Sequence, residues 1–225
     1  AEHSHNDAGL LTVLNETMGF YRSQGRHTDN LPIIRESLSI ADHLHLQEIN
    51  PQAWATTLIN AATGMRAAGQ YEEAEQLYRQ ALDAATSAFS PTDRRLAALH
   101  NNMSMLYSET GRLNQAKREL EQALALYKLH LDDQPPVEEY FRSVIDIESY
   151  LQHPDSAALY INRALELFPG EIDFQLSKGH VLNYTKEYDK AIKAYQQSLR
   201  YARTDSLRGA IWGLIGDTWH QKAAA

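Results

Sequence analysis

The sequence predicts an all-α chain, a solenoid of about eleven helices stacked as antiparallel pairs. Three observations carry this. A stretch from Gly69 through Tyr71, Ala74, Tyr78, Ala81 and Leu82 returns from Gly111 through Leu113, Ala116, Leu120, Ala123 and Leu124. It returns again from Tyr188 through Ala191, Tyr195, Ser198 and Leu199. Apolar residues recur at three- and four-residue steps, the period of an amphipathic helix, and no stretch alternates convincingly as a strand would. The recurrence falls at roughly 35 to 45 residues, the interval at which stacked helix pairs repeat.

The first helix is read from Gly9 to Gly25, with Leu11, Leu14, Met18 and Tyr21 on one face. The second runs through Ile33, Ile34, Leu38 and Ala41, with Pro32 in its first turn, where a missing N–H costs little. Asn50-Pro51 is the next boundary. A second pair spans Trp54 to Met65 and Tyr71 to about Ala88, and Ser90-Pro91-Thr92-Asp93 supplies a break and an N-cap. The third pair is Leu96 to Thr110 and Leu113 to about Leu129. Gly25, Gly69 and Gly111 stand at the same turn, where glycine lets the chain leave a helix through positive φ. Asp132-Asp133-Gln134-Pro135-Pro136 is the clearest breaker. Beyond it come Val137 to Leu151 with Pro154 to Phe168, Ile172 to Tyr184 with Tyr188 to about Ala202, and an unpaired helix from Leu207 to Lys222.

Composition narrows the function. Of 225 residues 43% are hydrophobic and 22% charged, the balance of a folded chain. A formal net charge of -8 opposes nonspecific binding to nucleic acid or to an anionic membrane. There is no cysteine, hence no disulfide framework and no thiolate chemistry, which fits a reducing, cytoplasmic compartment. No apolar run approaches the length of a membrane span, and no charged-then-apolar leader opens the chain. The start at Ala1 and the Ala223-Ala224-Ala225 run read as trimmed ends.

These residues resemble the tetratricopeptide repeat over nearly the whole chain. Trp212, Ile215, Gly216 and Trp219 match the first half of that pattern, and Ala74, Tyr78, Ala81 and Leu82 match the second. Residues 55–130 are similar to the 42-residue repeats of kinesin light chains and their bacterial relatives, best along Leu99 to Gly111. After Pro136 the chain looks more like repeats of about 34 residues. The resemblance implies a right-handed superhelix over 1–225, with longer repeats in 1–134, shorter ones in 135–225, and a junction, natural or engineered, near 130–137. It also implies a concave groove, lined by the first helix of each pair, that takes a peptide. By position that groove includes Asn15, Arg22, Asn60, Arg66, Asn101, Asn102, Arg142, Asp146, His180 and Asn183. Asn60 and Asn102 occupy the family's groove asparagine position, and an amide both donates to and accepts from a peptide backbone. Their alternative role is bridging adjacent helices. The carboxylate clamp of chaperone-binding repeats is unmatched, since Asn15, Ala98 and Asn102 stand where its basic residues would be.

Nothing points to an enzyme, a cofactor or a metal site. His3 and His5, like His43 and His45, are two residues apart, which on a helix aims them at different faces. His100 replaces a core-facing residue and reads as a packed histidine. Glu72-Glu73 and Glu119 with Glu121 read as solvated helix faces. Asn15, Asn102 and Asn183 begin Asn-x-Ser/Thr triplets, but inside helices, which argues against glycosylation. The final helix is unusually apolar through Ile211, Trp212, Leu214, Ile215 and Trp219. An array normally ends in a polar helix, so this end implies either a missing partner helix or self-association as a homodimer. The leading expectation is a non-catalytic scaffold that binds a protein or peptide. Alternatives are a self-assembling structural module, natural or designed, and a peptide-sensing regulatory module.

Overall fold

The computed structural model describes residues 2–133 and 135–225, with side chains from Asp7 onward. The side chains of His3 and His5, and the junction residue Gln134, lie outside that description. Among the described residues there are twelve α-helices and no strand: α1 (Glu2–Ser23), α2 (His27–His43), α3 (Leu46–Ile49), α4 (Pro51–Ala67), α5 (Tyr71–Ala88), α6 (Arg94–Glu109), α7 (Leu113–Leu129), α8 (Glu138–Tyr150), α9 (Pro154–Leu167), α10 (Ile172–Tyr184), α11 (Tyr188–Ser198) and α12 (Asp205–Ala224). The all-α repeat architecture expected from the sequence is the one observed. Two compact units are distinguished, Ala1–Leu126 and Tyr127–Ala225, with the boundary inside α7. None of the helices is long and apolar enough to cross a membrane.

One expectation needs correction, and the helix count of about eleven becomes exact. The count is twelve because α3 adds a single turn, entered through His45 at φ 50 and closed where the Asn50 side chain accepts from the Ala53 N–H to cap α4. Pro32 is the sixth residue of α2, not a first-turn residue. The helix begins earlier, directly after the Gly25 turn, where the Asn30 N–H donates to the Arg26 carbonyl at 3.2 Å. Proline there forfeits one backbone bond, to the carbonyl of Thr28.

Each hairpin closes in the same way. In the first, the Gly25 N–H donates to the Arg22 carbonyl and the Arg26 N–H reaches back to the Tyr21 carbonyl at 2.9 Å. The pattern recurs around Gly69, Gly111, Gln152 and Lys186, all five residues having positive φ. These turns at 25, 69, 111, 152 and 186 are spaced 44, 42, 41 and 34 residues apart. Only three carry glycine. At Gln152 (φ 60) and Lys186 (φ 63) a Cβ sits in the left-handed region, at a cost of about 1 kcal/mol. Gln152→Gly and Lys186→Gly are therefore expected each to raise stability by roughly 0.5–1 kcal/mol, less whatever flexibility glycine adds to the unfolded chain, as read from denaturant midpoints.

Packing follows the small-and-aromatic pattern. In α5, Ala74, Tyr78, Ala81 and Ala85 are all fully buried, against Leu58, Ala61, Ala62 and Met65 of α4 among others. In the second unit Phe141, Phe168 and Phe174 form a ring-to-ring chain with centroids 5.9 and 6.1 Å apart. Small residues bring helices close enough for such rings to fill the remaining space. At Gly179 the approach is closest, since an added Cβ would lie 2.2 Å from the ring of Tyr195.

Glu148 is the charged group taken furthest inside, with 3% of its side chain exposed. Lys128 Nζ and Ser156 Oγ donate to its Oε1 at 2.5 and 2.6 Å. His153 Nδ1 donates to Oε2 at 2.8 Å, since a carboxylate can only accept. Burial alone would push this carboxyl up, but the donors from Lys128, Ser156 and His153 outweigh it and hold it below its ordinary value. Other acids read from sequence as solvated behave differently from one another. Glu72, Glu73 and Glu121 are exposed, whereas Glu119 is half-buried and its Oε2 meets His100 Nδ1 at 2.7 Å.

Candidate functional site

In the first unit a polar row crosses the first helices of three successive hairpins, α1, α4 and α6. Asn15 on α1 donates through Nδ2 to Thr57 Oγ1 on α4 at 3.2 Å. Asn102 on α6 donates to Thr63 Oγ1 on α4 at 3.5 Å. Arg66 on α4 is ion-paired with Glu109 on α6. Those partners are 42, 39 and 43 residues apart, close to one repeat length. Thr63 is the hub. It also accepts from the Tyr78 hydroxyl at 3.1 Å and donates to its own helix at the Ile59 carbonyl. Burial pushes the Tyr78 hydroxyl up, with Thr63, Arg66 and Arg22 opposing, so it stays protonated and donates.

The row is only partly satisfied. Asn60 and the side chain of Asn101 are half-buried and make no hydrogen bond among the described residues. Asn15 Oδ1, Arg22 Nη1 and Arg66 Nε are buried without a hydrogen-bond partner. Unmet donors and acceptors of this kind are uncommon in folded proteins, because each forfeits its hydration. Of the two asparagines singled out from the sequence, Asn102 bridges neighbouring helices and Asn60 does not. Thr57, Thr63 and Glu109 were missed. The available signal was the repeat-length spacing from Asn15, Asn102 and Arg66.

The second unit holds its own cleft, of about 290 Å³, lined by Arg142 and Asp146 of α8 and by Asp173, Phe174 and His180 of α10. Arg142 is already engaged by Glu138 and Asp173. Asp146 is exposed, and the partial desolvation of its carboxyl by the cleft around it pushes it up, Arg142 opposing and Asp173 adding to the shift. His180 Nδ1 lies 3.1 Å from the Tyr195 hydroxyl. Burial pushes that hydroxyl up to about 12, so it donates and the imidazole, itself lowered by burial, accepts. Asn183 donates to Gln221 of α12 at 3.0 Å, while its Oδ1 is buried and unpaired. Thus Arg142, Asp146 and His180 share one cleft, and Asn183 ties α10 to α12. Of the five residues expected to drive self-association, Ile211 and Ile215 are buried in the core and Leu214 is half-buried, so Trp212 and Trp219 alone remain open. An α-helix has two apolar sides here, and the inner one is spent on α11.

Among the described residues no group of three or more histidine, aspartate or glutamate side chains could hold a metal ion.

Two tetratricopeptide repeat models match the sequence, at residues 55–128 and 146–221, together about two thirds of it. The chain is a tetratricopeptide repeat protein. No curated protein matches it. Among solved structures, the nearly identical TPR-like repeats of a Podosopora anserina kinesin light chain are 13% identical at a TM-score of 0.67, covering 85% of this chain and 93% of that one. BtubC (BKLC) from P. vanneervenii is 17% identical, also at 0.67, over 92% and 83%. PilF of Pseudomonas aeruginosa is 18% identical at 0.59, over 97% and 90%. At such identities the likeness is one of fold. The repeat family makes this chain a protein-interaction scaffold in general terms, and its residues resemble kinesin-light-chain repeats.

Proposed function

We propose that this tetratricopeptide repeat protein is a non-catalytic scaffold whose polar rows bind an extended peptide. The unpaired amides of Asn60 and Asn101 and the unpartnered Asn15 Oδ1 carry the reading. A peptide backbone offers one donor and one acceptor per residue, which is what such amides lack. One structural neighbour, YrrB, is described as a TPR protein with an unusual peptide-binding site, at 20% identity and a TM-score of 0.53. The net charge of -8 favours a protein partner over nucleic acid.

The test is capture from a peptide library by the parent chain and by Asn60→Ala with Asn101→Ala. Each lost hydrogen bond is worth about 1 kcal/mol, so the double variant should bind captured peptides about 30-fold more weakly. Asn60 makes no internal bond, so its loss leaves the fold intact. Undiminished capture by a folded double variant would overturn the proposal.

A further inference from the structure

We infer that the cleft between the α3–α4 corner and α5 binds a small organic cation, a protonated amine carried on an aromatic or aliphatic body. The inference stands apart from the peptide-binding reading, since none of the residues expected in the groove borders this cleft.

The cleft lies inside the first unit and has a volume of about 620 Å³, a size that suits a small molecule. Its apolar lining is Pro51 together with Trp54, Ala84 and Ala88, the last three half-buried and packed against the core. Gln80, Asp83 and Ser87 join Ala84 and Ala88 along one stripe of α5, at three- and four-residue steps. From the opposite wall α3 contributes Gln47. Gln52 Nε2 donates to the Ala88 carbonyl at 3.3 Å, which ties the start of α4 to the end of α5. The neighbouring hairpins show why the space is open. Ile40, His43 and Leu44 stand 44 residues before Ala84, Ser87 and Ala88, and Leu126, Leu129 and His130 stand 42 residues after them. Of these three hairpins only the middle one has small residues there.

The occupant follows from the charge of the lining, which holds one carboxylate and no lysine, arginine or histidine. Asp83 makes no ion pair among the described residues. The side-chain amides of Gln47 and Gln80 and the indole N–H of Trp54 make no hydrogen bond there either. The flanking hairpins carry Ser39 and Ala125 at the place of Asp83, so the acid and the open space occur together. A cation beside an indole is attracted by the ring's quadrupole, and the carboxylate accepts a charge-assisted hydrogen bond from an ammonium. One acid matches one positive charge, and the apolar lining holds the body of the ligand. An anion would meet Asp83 with no cation to compensate. A lysine side chain of a partner protein brings the right charge, but its slender stem would leave most of the cleft open.

The experiment uses the full chain with Trp212→Phe and Trp219→Phe, two exposed positions, so that Trp54 is the only tryptophan left to report. The probe is 2-phenylethylamine, protonated at neutral pH, and uncharged 2-phenylethanol is its matched control. The expected result is a saturable change in Trp54 emission with the amine, and binding of the alcohol about tenfold weaker. Asp83→Asn should weaken the amine about fivefold, a modest loss because the carboxylate is exposed and partly screened by water. Ser87→Leu places the leucine of the next hairpin at an exposed position, so it should abolish saturation and leave the melting temperature unchanged. Adding Asn60→Ala with Asn101→Ala should leave the response as it was, so the two proposals fail separately. The inference is overturned by no saturable change, by equal binding of amine and alcohol, or by an undiminished response in Asp83→Asn or Ser87→Leu. Tighter binding of Nα-acetyl-lysine N-methylamide than of the amine would also overturn it, giving the cleft to a lysine side chain of a partner protein.

Discussion

Glu148→Ala is expected to cost about 3 kcal/mol, the low end of what breaking a buried ion pair costs, because Lys128 keeps 34% of its side chain in water. The loss comes from three donors, Lys128, Ser156 and His153, deprived of one acceptor within a closely packed unit. Denaturant unfolding followed by tryptophan emission measures it, since Trp212 and Trp219 lie in the same unit as Glu148 and Trp54 lies in the other. The effect also depends on pH. The folded carboxyl is held below its ordinary value, so its contribution is complete above the usual carboxylate range and disappears as pH falls through the lowered folded value. Glu148→Gln should therefore flatten the acid side of the stability profile. A Gln variant with the parent's acid dependence would assign that dependence to other carboxylates.

The second large effect is a sign reversal between matched glycines. Gly179→Ala should destabilise by about 2 kcal/mol: overpacking toward the upper end of its usual 1–3 kcal/mol, less about 1 kcal/mol of helix propensity gained. The Tyr195 ring it would strike is buried and hydrogen-bonded to His180, so it has nowhere to turn. Gly216→Ala, at the corresponding place on α12, has open space above it and should stabilise by about 1 kcal/mol. Thermal melts of the two single variants decide this. Equal and opposite shifts are not required, but the same sign in both would remove the argument from packing.

The sequence revealed those parts of the fold whose physics demands a particular residue type. Positive φ favours glycine, so the turns at Gly25, Gly69 and Gly111 could be read directly. The same turn at Gln152 and Lys186 could not, because those residues bear the conformational cost and leave no mark. Pro32 falls later in α2 than expected because the first turn of that helix, His27 to Asn30, shows no apolar periodicity. The row of asparagines was visible through the family pattern. Its hub was not, since a buried threonine such as Thr63 reads as ordinary core. Glu148 also went unremarked, because a glutamate in a helix looks solvated until Lys128, His153 and Ser156 are brought around it by packing.

The ties Asn15–Thr57, Thr63–Asn102 and Arg66–Glu109 each reach only the next hairpin, across nearly one period of chain. Lengthening such a protein is therefore quantised. Duplicating a whole hairpin renews every tie with a fresh neighbour, whereas adding a handful of residues inside a helix rotates one side of each tie out of reach.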